Sequence, residues 1–150
     1  MHMTKKTTSV QIVLAQHCNG NRKPRLFGGQ LMAWIDVVGA VAARRFAKAE
    51  VTTVCVDNLT FLKPAYLNDI LVQEAWVTWS GNTSLEVRID TYVEHETREL
   101  VNRAYAVYVA LDADEKPTKV PEFIPETQEE MDEYAMAVER KVIRMQMQQN

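Results

Sequence analysis

The sequence predicts an α+β domain of two layers, in which one long buried helix packs against an antiparallel sheet of about five strands. Residues 26–45 carry apolar side chains on nearly every helical face, as expected for a buried helix. After residue 50 the pattern changes to four stretches rich in β-branched and aromatic residues, joined by short turns typical of hairpins. These stretches are 51–62, 70–80, 83–94 and 98–111, and residues 9–16 form a further short strand before the helix.

Composition narrows the class of protein. The chain has 150 residues, of which 47% are hydrophobic, and this is enough for one self-supporting core. Its formal net charge of −3 gives no electrostatic basis for binding nucleic acid. Cys18 and Cys55 fit neither a disulfide scaffold nor a zinc motif, and the sequence has no signal-peptide core or membrane-spanning apolar run. We therefore expect a cytoplasmic protein with no metal, nucleic acid or membrane partner.

The last two strands predict how the sheet is covered. Residues 85–93 alternate, which places apolar side chains on one face and polar ones, such as Glu86 and Asp90, on a face open to water. In the strand 98–111, alanines share a face that a helix can approach closely, and the opposite face is largely apolar. Because one helix covers only one face of a sheet, we expect at least a dimer, in which a second subunit covers the other face.

The C-terminal part predicts a separate helical tail. Residues 112–125 are polar and contain prolines, and Thr127 and Glu130 then have the spacing of a capping box. The following residues are amphipathic at helical spacing, with acidic residues early and basic residues late. We divide the chain into one domain at 1–126 and a tail at 127–150, which we interpret as a cap on the domain or on a neighbouring subunit.

Asp36 is the one carboxylate within the apolar helix. Burying an ionised carboxylate costs several kcal/mol, in order of magnitude, unless it is paired. The residues one turn away include Ala33, Gly39 and Ala40, and such small side chains leave space for a narrow ligand or a close backbone segment. Asp36 is therefore a candidate general base or nucleophile, and a structural acid bonded to backbone groups is an equally good interpretation of the pattern.

Two further polar features precede Asp36. Gly28 and Gly29 open the helix, where backbone N–H groups without helical partners can stabilise an oxygen that gains negative charge. The same glycine pair is also explained by a tight entry from loop to helix. Asn21, in the preceding polar loop, can orient a carbonyl or a water, or can serve as a turn residue.

The combination of these residues resembles the hotdog-fold acyl-CoA thioesterases of the cytosolic long-chain acyl-CoA hydrolase type. The matching order is Asn21, then Phe27-Gly28-Gly29, then Asp36, then Phe61-Leu62-Lys63-Pro64, then Asn68-Asp69 and Gly81-Asn82-Thr83-Ser84. The resemblance spans residues 9–126. Asn68 stands where relatives usually have glycine, and asparagine tolerates the left-handed backbone that such a turn needs. Pro24 likewise replaces a common glycine.

The resemblance implies a helix wrapped by a curved antiparallel sheet, paired into a homodimer and often assembled further as a trimer of dimers. It implies active sites at the dimer interface, where Asp36 acts on the thioester as general base or nucleophile. The amides of Gly28 and Gly29 would polarise the carbonyl, and Asn21 would come from the other subunit to position water or substrate. The implied contacts to substrate or CoA are Phe27, Gly81, Asn82, Thr83 and Ser84.

The expected function is hydrolysis of fatty acyl-CoA to free fatty acid and CoA. No cofactor is expected, because CoA is part of the substrate. A non-catalytic module that binds or senses acyl-CoA is one alternative. Another is a hotdog hydratase or dehydratase, although those enzymes usually carry a histidine on the helix, and residues 26–45 contain none.

Overall fold

A computed structural model describes residues 5–148 and confirms the α+β architecture with one five-stranded antiparallel sheet. The elements are β1 (Thr7–Ile12), α1 (Gly28–Ala47), β2 (Glu50–Asp57), β3 (Ile70–Ser80), β4 (Ser84–Glu94), β5 (Arg98–Leu111) and α2 (Gln128–Gln148). The strands lie side by side in the order β1-β3-β4-β5-β2, so β1 and β2 are the two edges. We call the face of the sheet that packs on α1 the inner face and the opposite one the outer face. Within residues 5–148, neither helix is long and apolar enough to cross a bilayer.

The helix α1 is buried on one side only within a single chain. Its sheet-facing side contributes a row of buried residues to the core, namely Leu31, Ile35, Val38, Gly39, Ala42, Ala43 and Ala47. The side turned away from the sheet is also apolar, yet Val37 is 64% exposed and Val41 is 37% exposed. Lys48 ends the helix in the left-handed region, at φ 53°, and its N–H bonds to the carbonyl of Arg44. The prediction of a buried helix thus holds for the inner side, and an apolar ridge remains on the other.

The expected strand 51–62 is shorter in the structure and does not form a hairpin with β3. The strand β2 ends at Asp57, and Asn58 follows in the left-handed region at φ 72°. The side-chain amide of Asn102 donates to the carbonyls of Asn58 (2.8 Å) and Thr60 (3.0 Å), which holds the chain in an irregular turn. Residues 58–69 then cross to the other half of the sheet, so that β2 pairs with β5 rather than with β3. The other two expected hairpins, β3–β4 and β4–β5, are present.

The first strand also differs from the expected range 9–16. The strand β1 runs from Thr7 to Ile12 and pairs with β3, after which Ala15–His17 form a short 3₁₀ turn. The turn at Asn68 has the left-handed backbone that was expected there, with φ 73°. The carboxylate of Asp69 accepts the N–H of Tyr66 at 2.7 Å and closes this turn. Local turn chemistry was therefore predicted better than strand length.

The outer face of β4 was expected to be open to water. In the structure it is buried, because α2 of the same chain packs over it. Glu86 is 0% exposed and Asp90 is 1% exposed. Glu86 accepts hydrogen bonds from Arg140 (2.7 Å) and Arg144 (2.7 Å) of α2, and from the hydroxyl of Thr78 (2.6 Å). Burial alone raises the pKa of Glu86, but these donors outweigh burial and hold the pKa below its usual value.

A second buried carboxylate, Asp90, is satisfied within the sheet. Its two oxygens accept hydrogen bonds from Arg88 (2.9 Å) and Arg103 (2.9 Å). Arg88 also pairs with Glu133 of α2, so the two ion clusters together attach α2 to the sheet.

At the start of α2, the expected capping box is confirmed. The N–H of Glu130 donates to the Thr127 hydroxyl at 3.1 Å, and the N–H of Thr127 donates to the Glu130 carboxylate at 3.2 Å.

Candidate active site

The carboxylate of Asp36 is partly exposed on α1 and is held by two neighbouring strands. The hydroxyl of Thr53 on β2 donates to its Oδ1 at 2.7 Å. The hydroxyl of Tyr108 on β5 lies 3.2 Å from the same oxygen and 3.0 Å from the main-chain carbonyl of Asp36. Among residues 5–148, the hydrogen bonds to this carboxylate all go to Oδ1. The other oxygen, Oδ2, is therefore left for an incoming group.

The two donors face Asp36 together because they are directly opposite each other in the β2–β5 pair. Neither was recognised in the sequence. Tyr108 shares the inner face of β5 with Ala104, Ala106 and Ala110, because every second residue of a strand lies on the same face. This periodicity places Tyr108 under the helix and was a signal that could have identified it. Thr53 had no comparable signal, since the pairing of β2 with β5 joins residues far apart in the chain. The space beside Gly39, expected for a ligand or a backbone segment, is filled by the Tyr108 side chain.

Gly28 and Gly29 are the first two residues of α1, and Phe27 is the N-cap, without a capping side-chain hydrogen bond. Within the described chain, the N–H groups of Gly28 and Gly29 make no hydrogen bond, whereas those of the next two residues bond to the Phe27 carbonyl. A Cβ on Gly29 would lie 2.6 Å from the Phe27 ring, so the absence of a side chain lets this ring pack over the helix start. The glycine pair thus presents free donors.

The glycine pair and Asp36 are not adjacent within one chain. Asp36 is seven residues after Gly29, which is about two helical turns and about 10 Å along the axis. Both positions lie on nearly the same side of the helix at this spacing. A single thioester carbonyl cannot contact both groups of one α1 helix.

Asn21 lies exposed in the loop before α1. Its own N–H donates to the side-chain oxygen of Asn19 at 3.3 Å, and the same oxygen accepts the N–H of Arg25 at 3.4 Å. Asn19 therefore organises this loop, and the Asn21 side chain is absent from the hydrogen bonds that hold the Asp36 carboxylate.

An open cavity of about 410 Å³ adjoins the start of α1. Its lining combines apolar side chains with two cationic ones, Arg25 and Lys63. Lys63 lies 3.4 Å from Glu99, and both side chains are well exposed. The lining residues are Asn19, Arg25, Leu26, Phe27, Gly28, Phe61, Leu62, Lys63 and Pro64. The lining therefore offers contacts to both apolar and anionic parts of a ligand.

The expected CoA-contacting turn, Gly81 to Ser84, joins β3 to β4 away from this cavity. The N–H of Gly81 donates to the Ser84 carbonyl at 2.8 Å, and the Thr83 carbonyl accepts the N–H of Ala110 at 2.9 Å. The ring of Trp79 packs on Gly81, where a Cβ would lie 2.6 Å from it. Since Leu85 is paired with Tyr108, the turn is at the same end of the sheet as the donors to Asp36.

Other reactive side chains have structural partners. The thiol of Cys18 donates to the Leu14 carbonyl, and Nδ1 of the adjacent His17 accepts the N–H of Leu14. The imidazole of His17 packs edge-on against Trp34. Burial raises the pKa of the Cys55 thiol, which disfavours a thiolate. In the part of the chain that the structure describes, no group of three or more histidine, cysteine or acidic side chains could hold a metal ion.

A long helix on the inner face of a five-stranded antiparallel sheet, with a carboxylate and a free helix N-terminus on its exposed side, defines a hotdog-fold enzyme. The model of the thioesterase superfamily matches residues 24–99, which is half of the chain. The Bacillus subtilis protein YkhA, described as an uncharacterized acyl-CoA thioester hydrolase, is 39% identical over 80% of this chain and 72% of its own length. The chain belongs to the thioesterase superfamily.

Solved structures that are similar to this chain are also those of acyl-CoA hydrolases. An acyl-CoA hydrolase from Staphylococcus aureus, in complex with butyryl-CoA, CoA and CoA disulfide, is 34% identical, with a TM-score of 0.82 over 96% of this chain and 91% of that chain. A hexameric acyl-CoA thioesterase, solved in its apo form, is 32% identical, with a TM-score of 0.84 over 94% and 91% of the two chains. The staphylococcal enzyme has also been solved as variants with an asparagine, an aspartate or a threonine replaced by alanine.

Proposed function

We propose that this chain hydrolyses acyl-CoA thioesters to a free acid and CoA, with Asp36 as the reacting carboxylate. The arrangement of Asp36 is the observation that carries the proposal. Thr53 and Tyr108 bind Oδ1, so Oδ2 is free to remove a proton from water or to attack the thioester carbon. The asparagine, aspartate and threonine replaced in the staphylococcal enzyme are the same residue types as Asn21, Asp36 and Thr53.

The reaction needs no cofactor. Addition of oxygen to the thioester carbonyl places negative charge on its oxygen, and donors such as the free amides of Gly28 and Gly29 stabilise that charge. The C–S bond then breaks and the thiolate of CoA leaves. If Asp36 acts as base, the acid is formed directly and the proton taken from water returns to the sulfur; if Asp36 attacks, the acyl group forms an anhydride with its carboxylate, which water then hydrolyses to the free acid, supplying the proton and regenerating Asp36. A thiolate is a good leaving group, so a carboxylate and an oxyanion site suffice without a nucleophilic serine or cysteine.

The active site is completed by a second copy of the chain. Gly29 and Asp36 are about 10 Å apart along one helix, which is too far for one carbonyl to meet both. A two-fold axis perpendicular to α1 would set the α1 helices of two protomers antiparallel, so that the glycine pair of one protomer comes opposite Asp36 of its partner. The exposed apolar ridge with Val37 and Val41, and the free edge of β2, support such a dimer. Assembly of these dimers into a hexamer is consistent with the hexameric relative.

The cavity beside Gly28 holds the CoA part in this proposal. Its apolar lining residues, such as Phe61 and Leu62, suit the pantetheine chain, and Arg25 and Lys63 suit the phosphates. Phe27 and the turn from Gly81 to Ser84 remain proposed substrate contacts. We place the enzyme in a reducing cytosol, in keeping with its two free cysteines, Cys18 and Cys55.

A thiol-release assay with acyl-CoAs of short to long chain length tests this function. We expect the wild-type chain to release CoA, and Asp36→Asn to lose about two orders of magnitude or more in kcat while keeping its fold. Asp114→Asn, at an exposed aspartate far along the chain, is the matched control and should retain activity. Tight binding of acyl-CoA without CoA release would indicate a sensing module, and full activity of Asp36→Asn would exclude the proposed role of this carboxylate.

A further inference from the structure

Tyr108 is the largest fully buried side chain in the described chain, and its hydroxyl is directed at Asp36. The ring lies in the core on the inner face of β5. The hydroxyl is 3.0 Å from the main-chain carbonyl of Asp36 and 3.2 Å from Oδ1 of its carboxylate. A buried tyrosine hydroxyl needs a hydrogen-bond acceptor, and here both acceptors belong to the same residue.

Gly39 makes room for this hydroxyl. It lies one turn after Asp36 in the middle of α1 and is buried. A Cβ at this position would be 2.4 Å from the Tyr108 hydroxyl oxygen and 3.2 Å from the carbon that bears it. A glycine inside a helix is unfavourable relative to alanine, because it leaves the unfolded backbone more freedom. The contact with Tyr108 explains why α1 carries glycine at this position.

The geometry goes beyond filling the core. The carbonyl of Asp36 is inside α1, where the amide four residues later is its ordinary donor, so the tyrosine is an additional donor at this turn. The second acceptor, Oδ1, is also the oxygen that Thr53 binds. The single hydroxyl proton of Tyr108 is shared between Oδ1 and the main-chain carbonyl of the same residue, and with the Thr53 hydroxyl on Oδ1 this restricts the rotation of the carboxylate.

We propose that Tyr108 is a positioning residue that holds the Asp36 carboxylate in its reactive orientation. The absence of a side chain at Gly39 leaves the space that the Tyr108 hydroxyl occupies. The expected effect of Tyr108 on the reaction rate rests on the proposed hydrolysis. Its effect on the orientation of the Asp36 carboxylate does not. Burial, with a contribution from the Asp36 carboxylate, raises the pKa of Tyr108, so its hydroxyl remains a donor throughout the physiological pH range.

The kinetic test is Tyr108→Phe, which removes only the hydroxyl. We expect kcat to fall about ten- to a hundredfold, the value of a hydrogen bond to a charged group, with KM unchanged. Tyr105→Phe is the matched control, because Tyr105 is on the outer face of the same strand, with its ring beneath Arg140. In an Asp36→Asn background, Tyr108→Phe should cause no further fall in kcat. Unchanged kcat in Tyr108→Phe, or a full further fall in the Asp36→Asn background, would overturn the proposal.

Two measurements that do not depend on catalysis accompany the kinetic test. Three-bond NMR couplings should show one side-chain rotamer for Asp36 in the wild type and averaging among rotamers in Tyr108→Phe. Gly39→Ala should lower the melting temperature of the wild type more than that of Tyr108→Phe, where the contact with the hydroxyl at 2.4 Å is gone and only those with Ile89 and the aromatic ring, at 3.2 Å, remain. A single unchanged rotamer, or an equal effect of Gly39→Ala in both backgrounds, would contradict the positioning role. If the wild type released no CoA, the proposed function would fail, and these two measurements would still decide whether Tyr108 holds the carboxylate.

Discussion

The hydroxyl of Thr53 donates a hydrogen bond of 2.7 Å to Oδ1 of Asp36 and joins the edge strand β2 to the helix α1. Thr53 is exposed, and the sheet departs from regular register immediately after it. Such irregularities redirect side chains, and here the hydroxyl is directed at the carboxylate. The edge strand therefore contacts the proposed catalytic carboxylate directly.

Replacement of this threonine tests the contact. Thr53→Val preserves shape but removes the donor, and we expect kcat for acyl-CoA to fall about tenfold or more. Thr53→Ser keeps a hydroxyl and should retain much of the activity. The neighbouring Thr52→Val, also at an exposed position on β2, is the control for strand stability. Equal kcat for Thr53→Val and Thr52→Val would show that the Thr53 hydroxyl does not support Asp36.

The buried ion cluster under α2 predicts acid sensitivity. Hydrogen bonds from arginines outweigh burial and hold the pKa values of Glu86 and Asp90 below their ordinary values of 4.5 and 3.8. In the unfolded chain these groups bind protons at a higher pH than in the folded one. Their stabilisation is therefore complete above the ordinary values and is lost as pH falls through the lower, folded-state values. Urea unfolding measured from pH 7 to pH 3 should show the free energy of unfolding falling in the acidic range.

Glu86→Gln isolates this effect. At pH 7 it leaves Arg140 and Arg144 without a charged partner, and we expect a loss of about 3 kcal/mol in the free energy of unfolding. The difference from the wild type should shrink as pH falls from 4.5 through the lower folded-state pKa, because Glu86 of the unfolded wild type takes up a proton before Glu86 of the folded protein does. Glu99→Gln removes an exposed pair with Lys63 and should cost less than about 1 kcal/mol. A difference between Glu86→Gln and the wild type that is constant over pH would contradict this account.

The apolar ridge on α1 predicts that a second copy of the chain packs against this helix. Val37→Lys introduces a charge at a side chain that is 64% exposed in a single chain, so it should leave the monomer fold intact. If a second copy covers the ridge, the variant should sediment as a smaller species and lose most of its activity. Ile124→Lys changes a side chain that is 60% exposed outside α1 and serves as the control. An unchanged sedimentation coefficient for Val37→Lys would place the subunit contact elsewhere.

Replacement of Asn102 should change the affinity for substrate. Its side-chain amide holds the carbonyls of Asn58 and Thr60, which precede the cavity residues Phe61 and Leu62. Asn102→Ala leaves two carbonyls without this donor, and we expect an increase in KM for acyl-CoA that exceeds the change in kcat. Steady-state kinetics with Gln16→Ala as an exposed control checks this. A lowered kcat with unchanged KM would mean that the loop acts on Asp36 rather than on the cavity.

Local patterns in the sequence predicted most of the architecture. The apolar helix, the capping box at Thr127 and the left-handed turn at Asn68 all depend on residues within a few positions of one another. Asp36 and the glycine pair were identified in the same way; the N–H groups of Gly28 and Gly29 have no hydrogen-bond acceptor within residues 5–148, and their catalytic role stays a prediction. Short-range physics was sufficient for these features.

Long-range pairing accounts for the features that were missed. β2 was expected to form a hairpin with the next strand, but it pairs with β5, which is about fifty residues later. This pairing brings Thr53 and Tyr108 together, so neither could be assigned to Asp36 without the sheet order. The charged face of β4 was expected to be wet, because alternation indicates which face is polar but not what covers it. Arginines of α2 cover it.

The position of β2 at the edge of the sheet also affects how the enzyme should lose activity on heating. Within one chain β2 has a hydrogen-bonded neighbour on one side only, so once the proposed dimer dissociates this strand opens locally before the centre of the sheet does. Local opening of β2 would release Thr53 from Asp36 while β3, β4 and β5 remain folded. Inactivation should then begin at a lower temperature than the loss of secondary structure, and amide hydrogen exchange should be faster in β2 than in β4.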